Sequence, residues 1–266
     1  MRFAPVMLAL ALGLAACAPT TAVAPPSASG TVPAIYQART DTGPGGEPIE
    51  IAAVKPAYLT ERNRRQRVVY NGGDAPGTIV VDPYARVLYL VHEGGEATRF
   101  GIAVGRAGTG FAGNATIRRK AQWPSWTPTA NMVRTEPELY GAVRDGLPGG
   151  IGNPLGSRAL YLYQGGRDTM YRIHGTMDPS SVGKATSAGC IRLFNQDIMD
   201  LFEQTPMGTQ VRVRTPAESA ALEGPLVETP DGYLLPAGPQ PTAAAQPIPA
   251  ALPATASPVE SAVPAG

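Results

Sequence analysis

Histidine and cysteine are nearly missing from this chain, with two of each in 266 residues. With Cys17 at the end of the leader described below, two histidines and one available cysteine are too few for a convincing zinc site, which takes about four ligands. Excess charge is missing as well. Twenty-two Lys and Arg balance 21 Asp and Glu to a net +1, and no Lys/Arg run marks a basic patch, which argues against a nucleic-acid partner. The nearest approach to such a run, Arg62, Arg64, Arg65 and Arg67, reads as a solvated edge. Neither a phosphate loop nor a Gly-x-Ser-x-Gly elbow is present, so nucleotide chemistry and the serine-hydrolase elbow are not indicated. No cofactor is expected. Long apolar runs are also lacking: Val6 to Ala16 is too short to cross a bilayer.

That short run follows Met1-Arg2-Phe3 and ends in Leu14-Ala15-Ala16-Cys17, so residues 1–16 read as a signal peptide. The small residues before Cys17 resemble a lipobox, after which the cysteine becomes the lipidated first residue and holds the protein to a membrane. An ordinary secretory signal cleaved elsewhere is the alternative. Ala18 after Cys17 favours the outer membrane over the inner. Either way Cys17 is lost to disulfide chemistry. Cys190 is then the single thiol in an oxidising compartment, where an unpaired cysteine tends to be kept for its reactivity.

Proline and glycine are plentiful, at 28 and 31 residues, and they divide the chain. Residues 17–65 read as a flexible tether, residues 66–215 as one folded domain, and residues 216–266 as a disordered Pro/Ala-rich tail. Inside the domain the hydrophobic period is two. Runs at Gln66–Tyr70, Thr78–Asp82, Arg86–Val91, Ala97–Val104, Ala159–Tyr163, Tyr171–His174 and Gln210–Arg214 predict short strands in a mainly β domain, a sandwich or barrel with one or two helices. One helix is expected over Asn195–Gln204, with Asn195 as N-cap. Residues 121–157 hold both tryptophans, Trp123 and Trp126, and no clear pattern. They suggest either a lid beside the site or a surface loop pinned by its aromatics.

The chemistry concentrates in His174-Gly175-Thr176 and Ser187-Ala188-Gly189-Cys190-Ile191-Arg192-Leu193. A cysteine nucleophile needs a base, and His174 at a strand end can take the thiol proton once the intervening loop folds back. Gly189 allows a sharp turn, so the N–H groups of Gly189 and Cys190 can face an oxyanion. Ser187 bonds within the loop or faces substrate. Arg192 holds a substrate carboxylate or pairs with Asp197 or Glu203 in the helix. His92 is far from any nucleophile and reads as exposed.

His-Gly-Thr followed by Ser-x-Gly-Cys-Ile-Arg-Leu resembles the signature of the L,D-transpeptidase catalytic domain, with similarity running from about Gly77 to Val213. Gly105-Arg106, Gly108-Thr109-Gly110-Phe111, Asn153-Pro154-Leu155-Gly156 and Gly208-Thr209-Gln210-Val211 flank it. The resemblance implies a β-sandwich-like catalytic fold with a lid loop. It also implies that Cys190 attacks the diamino acid–D-Ala bond of a peptidoglycan stem and passes the acyl group from a thioester to an amine. That amine belongs to another stem or to an outer-membrane protein. Sensitivity to carbapenems is implied too, as is a ring of His174 oriented by the Gly175 carbonyl. Many members carry a histidine where this chain has Ala188, which leaves His174 as the sole base. Trp126 and Tyr163 join Arg192 and Ser187 as substrate-binding candidates. The alternatives are an L,D-carboxypeptidase and a non-enzymatic peptidoglycan-binding lipoprotein, in each case facing the periplasm.

Overall fold

Runs of β-branched and aromatic residues make nearly all of the regular structure, as expected where side chains pack on a pleated surface. The computed structural model describes residues 32–106, 111–187 and 189–238. The leader over 1–16, Cys17, the Gly108-Thr109-Gly110 stretch, Ala188 and the tail beyond 238 lie outside the described residues. In chain order the strands begin with β1 (Arg39–Thr42), β2 (Pro48–Ile51), β3 (Gln66–Val69), β4 (Ile79–Asp82), β5 (Val87–Val91), β6 (Glu96–Gly101), β7 (Val104–Gly105) and β8 (Asn114–Gln122). Two short helices follow, α1 (Ala130–Thr135) and α2 (Pro137–Tyr140), and then β9 (Arg158–Gln164), β10 (Arg167–His174), β11 (Ala185–Ser187) and β12 (Ile191–Arg192). The chain continues through α3 (Asn195–Gln204), β13 (Gln210–Val213), α4 (Pro216–Glu223), β14 (Leu226–Glu228) and β15 (Leu234–Pro236).

Nine strands form one sheet in the order β12-β10-β9-β8-β13-β4-β5-β6-β3. Only β10 with β12 and β13 with β4 pair in parallel. Every one of the seven expected strand runs overlaps a strand. Two strands of this sheet were unforeseen: β12, only two residues long, and β8, next to the central β13, whose Arg118-Arg119-Lys120 segment hides the alternation. Leu160, Leu162, Ile173 and Ile191 point to one face of β9, β10 and β12. There they join Ile198, Leu201 and Phe202 of α3 and Phe100 in the main core. Alternation then sends Tyr161, Arg172, His174 and Cys190 to the opposite face.

Several expectations need correction. From residue 32 onward the expected tether packs on the domain. Tyr36 is fully buried, edge-on to Phe194 with ring centroids 5.6 Å apart, and β1 pairs with β2. The expected tail forms α4 and the β14–β15 hairpin up to residue 236. There Thr215 and Glu218 make a reciprocal capping box. Polar, proline-rich composition concealed both segments, because each is held by a few anchors. The arginine cluster is likewise no solvated edge, since Arg65 is nearly buried against Asp197 and Asp200. Asn195 is the first helical residue of α3 and Phe194 the N-cap. The segment over 121–157 is partly helical.

Candidate active site

Sixteen residues separate His174 from Cys190, and parallel pairing of β10 with β12 removes that distance. Ile173 lies opposite Ile191 and His174 opposite Arg192, so Cys190, one residue earlier, stands beside Arg172. Two rungs on one face result, with the Ile173–Ile191 rung of the other face between them. Arg172 and Cys190 occupy one, His174 and Arg192 the next, with all four side chains on the face away from α3. Diagonal neighbours of this kind are about 7–8 Å apart at their backbones, within side-chain reach.

The imidazole is fixed before any substrate arrives. His174 is only 3% exposed, and its Nδ1 lies 2.7 Å from the Gly175 carbonyl oxygen, which can only accept. Burial, reinforced by the Arg192 charge, pushes the ring's pKa down to about 3, against the backbone hydrogen bonds at Gly175 and Leu155. The resting ring is therefore neutral. Cys190 is half-buried, and its Sγ lies 4.0 Å from the Met170 carbonyl oxygen, at the limit for a sulfur donor. Burial raises the thiol, opposed by the Arg172 backbone and by the charges of Arg172 and Arg192. No hydrogen bond joins thiol and imidazole among the described residues.

Asn195 ties the surrounding turns together. Its Oδ1 accepts from the N–H groups of Ser157 at 3.0 Å and Thr176 at 3.2 Å, and its Nδ2 donates to the Thr176 carbonyl at 2.8 Å. Helix α3, the entry to β9 and the turn after His174 thus share one buried amide. Gly156 sits against this knot at φ +63, where an added Cβ would strike Asn195 Oδ1 and the Thr176 nitrogen.

The model of the L,D-transpeptidase catalytic domain matches residues 76–213, half of the chain and the whole of this arrangement. The chain belongs to that family. The probable L,D-transpeptidase ErfK/SrfK of Escherichia coli (strain K12) is 36% identical over 139 residues, 52% of this chain and 43% of that protein. A putative L,D-transpeptidase from the ATP synthase subunits region of Fuscovulum blasticum is 39% identical over 51% of this chain and 68% of its own length. The chain therefore spans less than half of the first relative and about two thirds of the second. The solved structure of a probable carnitine operon oxidoreductase caia from Brucella melitensis is 49% identical. It covers 57% of this chain and 94% of the other, with a TM-score of 0.41.

Several site residues stand differently from their sequence-based expectation in this L,D-transpeptidase domain. The Gly189 N–H is taken by Ser187 Oγ at 3.0 Å, so it is not free for an oxyanion. The Cys190 N–H donates to none of the described residues. Ser187 is buried and donates to the Cys190 carbonyl at 2.6 Å, which makes it a brace of the turn rather than a substrate contact. Arg192 pairs with neither Asp197 nor Glu203. The charged and phenolic groups that it feels besides Cys190 are Asp178 and Tyr140. Trp126 packs on Tyr140 with ring centroids 6.0 Å apart, so the 121–157 segment reaches over to Arg192. Tyr163 lies on the catalytic side of β9, two residues beyond the rung of Cys190. His92 is half-buried, with Nε2 2.7 Å from Thr98 Oγ1, rather than exposed. Sequence reasoning missed Asn195 as a buried knot, along with Arg119 and Arg172. The two arginines carried a signal only in their alternation with Tyr161 across strands.

Proposed function

We propose that this protein is a peptidoglycan L,D-transpeptidase with Cys190 as nucleophile and His174 as general base. The observation that carries the reading is the common face of β10 and β12. It puts a thiol one diagonal from a neutral imidazole whose second nitrogen is engaged by a backbone carbonyl.

Cys190 Sγ bonds to the carbonyl carbon between the diamino acid and D-alanine of a stem, and its proton passes to His174. The Cys190 N–H, without an acceptor among the described residues, receives the oxyanion. Collapse breaks the carbon–nitrogen bond, and His174 returns the proton to the D-alanine amine. An amine of a second stem or of an outer-membrane protein then attacks the thioester and restores the thiol. Water in its place makes the reaction a carboxypeptidase. Arg192, half-buried and without an acidic partner within ion-pair distance among the described residues, is poised for a substrate carboxylate. Trp126 and Tyr163 line the approach. In this reading Cys17 carries the lipid, and the domain faces the periplasm from the outer membrane.

The test is mass spectrometry of the purified protein incubated with a carbapenem and, separately, with tetrapeptide stems. The expected result is a covalent adduct on native protein, mapped to Cys190 and absent from Cys190→Ala. No adduct together with unchanged sacculus binding would establish a wall-binding role and overturn the enzyme. Products from stems plus an added amine separate acyl transfer from hydrolysis.

A further inference from the structure

Two bulges flank Tyr161, and each turns an arginine toward its ring. On β8 the register runs Thr116 with Tyr163 and Ile117 with Leu162. It then jumps to Arg119 with Tyr161 and Lys120 with Leu160, so Arg118 is the extra residue. Without that bulge Arg119 would share the core face with Ile117; with it, Arg119 changes face, which is how bulges re-aim side chains beside sites. On β10 the register jumps between Asp168 opposite Tyr163 and Arg172 opposite Tyr161. The extra residues include Met170, held at φ 63. Both guanidinium carbons lie 4.3 Å from the centre of the Tyr161 ring.

The result is one row straight across the sheet: Arg119, Tyr161, Arg172, Cys190. The two cations are not equivalent. Arg172 is nearly buried and grips Asp168 with two hydrogen bonds of 2.7 and 2.9 Å. Arg119 is exposed and has no ion pair or hydrogen bond among the described residues. Its guanidinium sits over the Tyr161 ring and acts on the Asp168 carboxylate only from beyond ion-pair distance, so its planar fork is available to a further carboxylate.

We propose that Arg119 receives a carboxylate of the stem peptide that acylates Cys190 and so makes the enzyme selective for acidic over amidated stems. This rests on the L,D-transpeptidase reading. Strands are spaced about 4.8 Å apart, so the Arg119 guanidinium stands about 10–14 Å from the thiol along the row. Extended peptide covers the nearer end of that span in about three residues, the number a tetrapeptide stem has ahead of the scissile bond. The carboxylate is therefore one upstream of the scissile bond, distinct from that of the departing D-alanine.

The experiment measures D-alanine release by wild-type, Arg119→Ala and Arg119→Lys full-length protein. It uses two synthetic tetrapeptide stems that differ only in a free or amidated upstream carboxylate, with thermal melting as the folding control. Amidation is expected to raise the wild-type KM about tenfold, the value of one charge-assisted hydrogen bond. Arg119→Ala is expected to raise KM by a similar factor on the acid stem alone, with kcat changed less than twofold and the discrimination abolished. Arg119→Lys keeps part of it. An unchanged KM for Arg119→Ala, or an equal loss on both stems, overturns the proposal, the latter pointing to contact with glycan or peptide backbone. Absence of release from either stem by the wild-type protein overturns the transpeptidase reading together with this one.

Discussion

Tyr36 donates its hydroxyl to Asp197 across 3.1 Å, joining a residue ahead of β1 to the buried face of α3. The same oxygen accepts from the Arg65 backbone N–H at 2.6 Å. Nearby, Arg39 grips Asp200 and Asp41 grips Arg158, each with two hydrogen bonds. Asp41 also accepts from the Trp123 indole at 2.8 Å. The amino-terminal strap thus holds both α3 and the root of the 121–157 segment.

Removing the ring and removing the hydroxyl should cost different amounts. Tyr36→Ala opens a cavity in the cluster of Val54, Val182 and Phe194 and is expected to destabilise by about 3–5 kcal/mol. Tyr36→Phe keeps the packing but strands two buried polar groups, for about 1–3 kcal/mol. Urea denaturation of both variants checks the order; equal losses would contradict it.

Two buried groups pull stability in opposite directions between pH 4 and 6. His174, lowered from 6.5 to about 3 by burial, binds its proton in the unfolded chain first. Its contribution is therefore full above pH 6.5 and is lost as pH falls toward 3. Asp197, raised from 3.8 to about 6 by burial, does the reverse, and its contribution fades as pH rises through 6. Wild-type stability is expected to be nearly level over this window. Asp197→Asn should make it climb with pH, and His174→Asn should make it fall, by up to about 1.4 kcal/mol per pH unit. Urea midpoints at four pH values decide the matter, and parallel curves for the three proteins would refute it.

Alkylation of Cys190 by iodoacetamide should keep accelerating beyond pH 9 in the folded protein, because burial raises the thiol. A preformed thiolate–imidazolium pair would instead give a plateau well below pH 8. Arg172→Gln removes a charge that favours the thiolate and should slow alkylation further at every pH.

Asn195→Ala leaves the Ser157 and Thr176 N–H groups and the Thr176 carbonyl without their buried partner. A loss of about 2–4 kcal/mol is expected, with acylation of Cys190 falling although neither His174 nor Cys190 is altered. Gly156→Ala should act in the same direction through the clash with Asn195. Retained acylation in both variants would show that the knot is dispensable.

The strands of the domain were legible because β-branched and aromatic residues fill short runs such as Val87–Val91 between turn residues, and α3 because its apolar positions recur at helical spacing. β8 was not, because Lys120 crosses to the carbonyls of Phe202 and Thr205 at the end of α3 while Arg119 stacks on Tyr161. Charged side chains there do the packing that a pattern assigns to apolar ones. That Cys190 and His174 come to one face of the sheet was legible from residue type and spacing. The loss of Gly189 to Ser187 was not, since it depends on a loop closing on itself. The strap was hidden because single anchors such as Tyr36 leave no period.

Cys190 owes its surroundings to a strand of two residues, β12, whose partner strand ends sixteen residues earlier and whose outer side meets Ala103. Pairings over such separations form only after the intervening chain has been ordered. Before that moment the thiol has neither the arginines nor the imidazole beside it. A chain still unfolded thus carries an ordinary cysteine, and completion of the sheet is what sets that thiol beside the imidazole and both arginines.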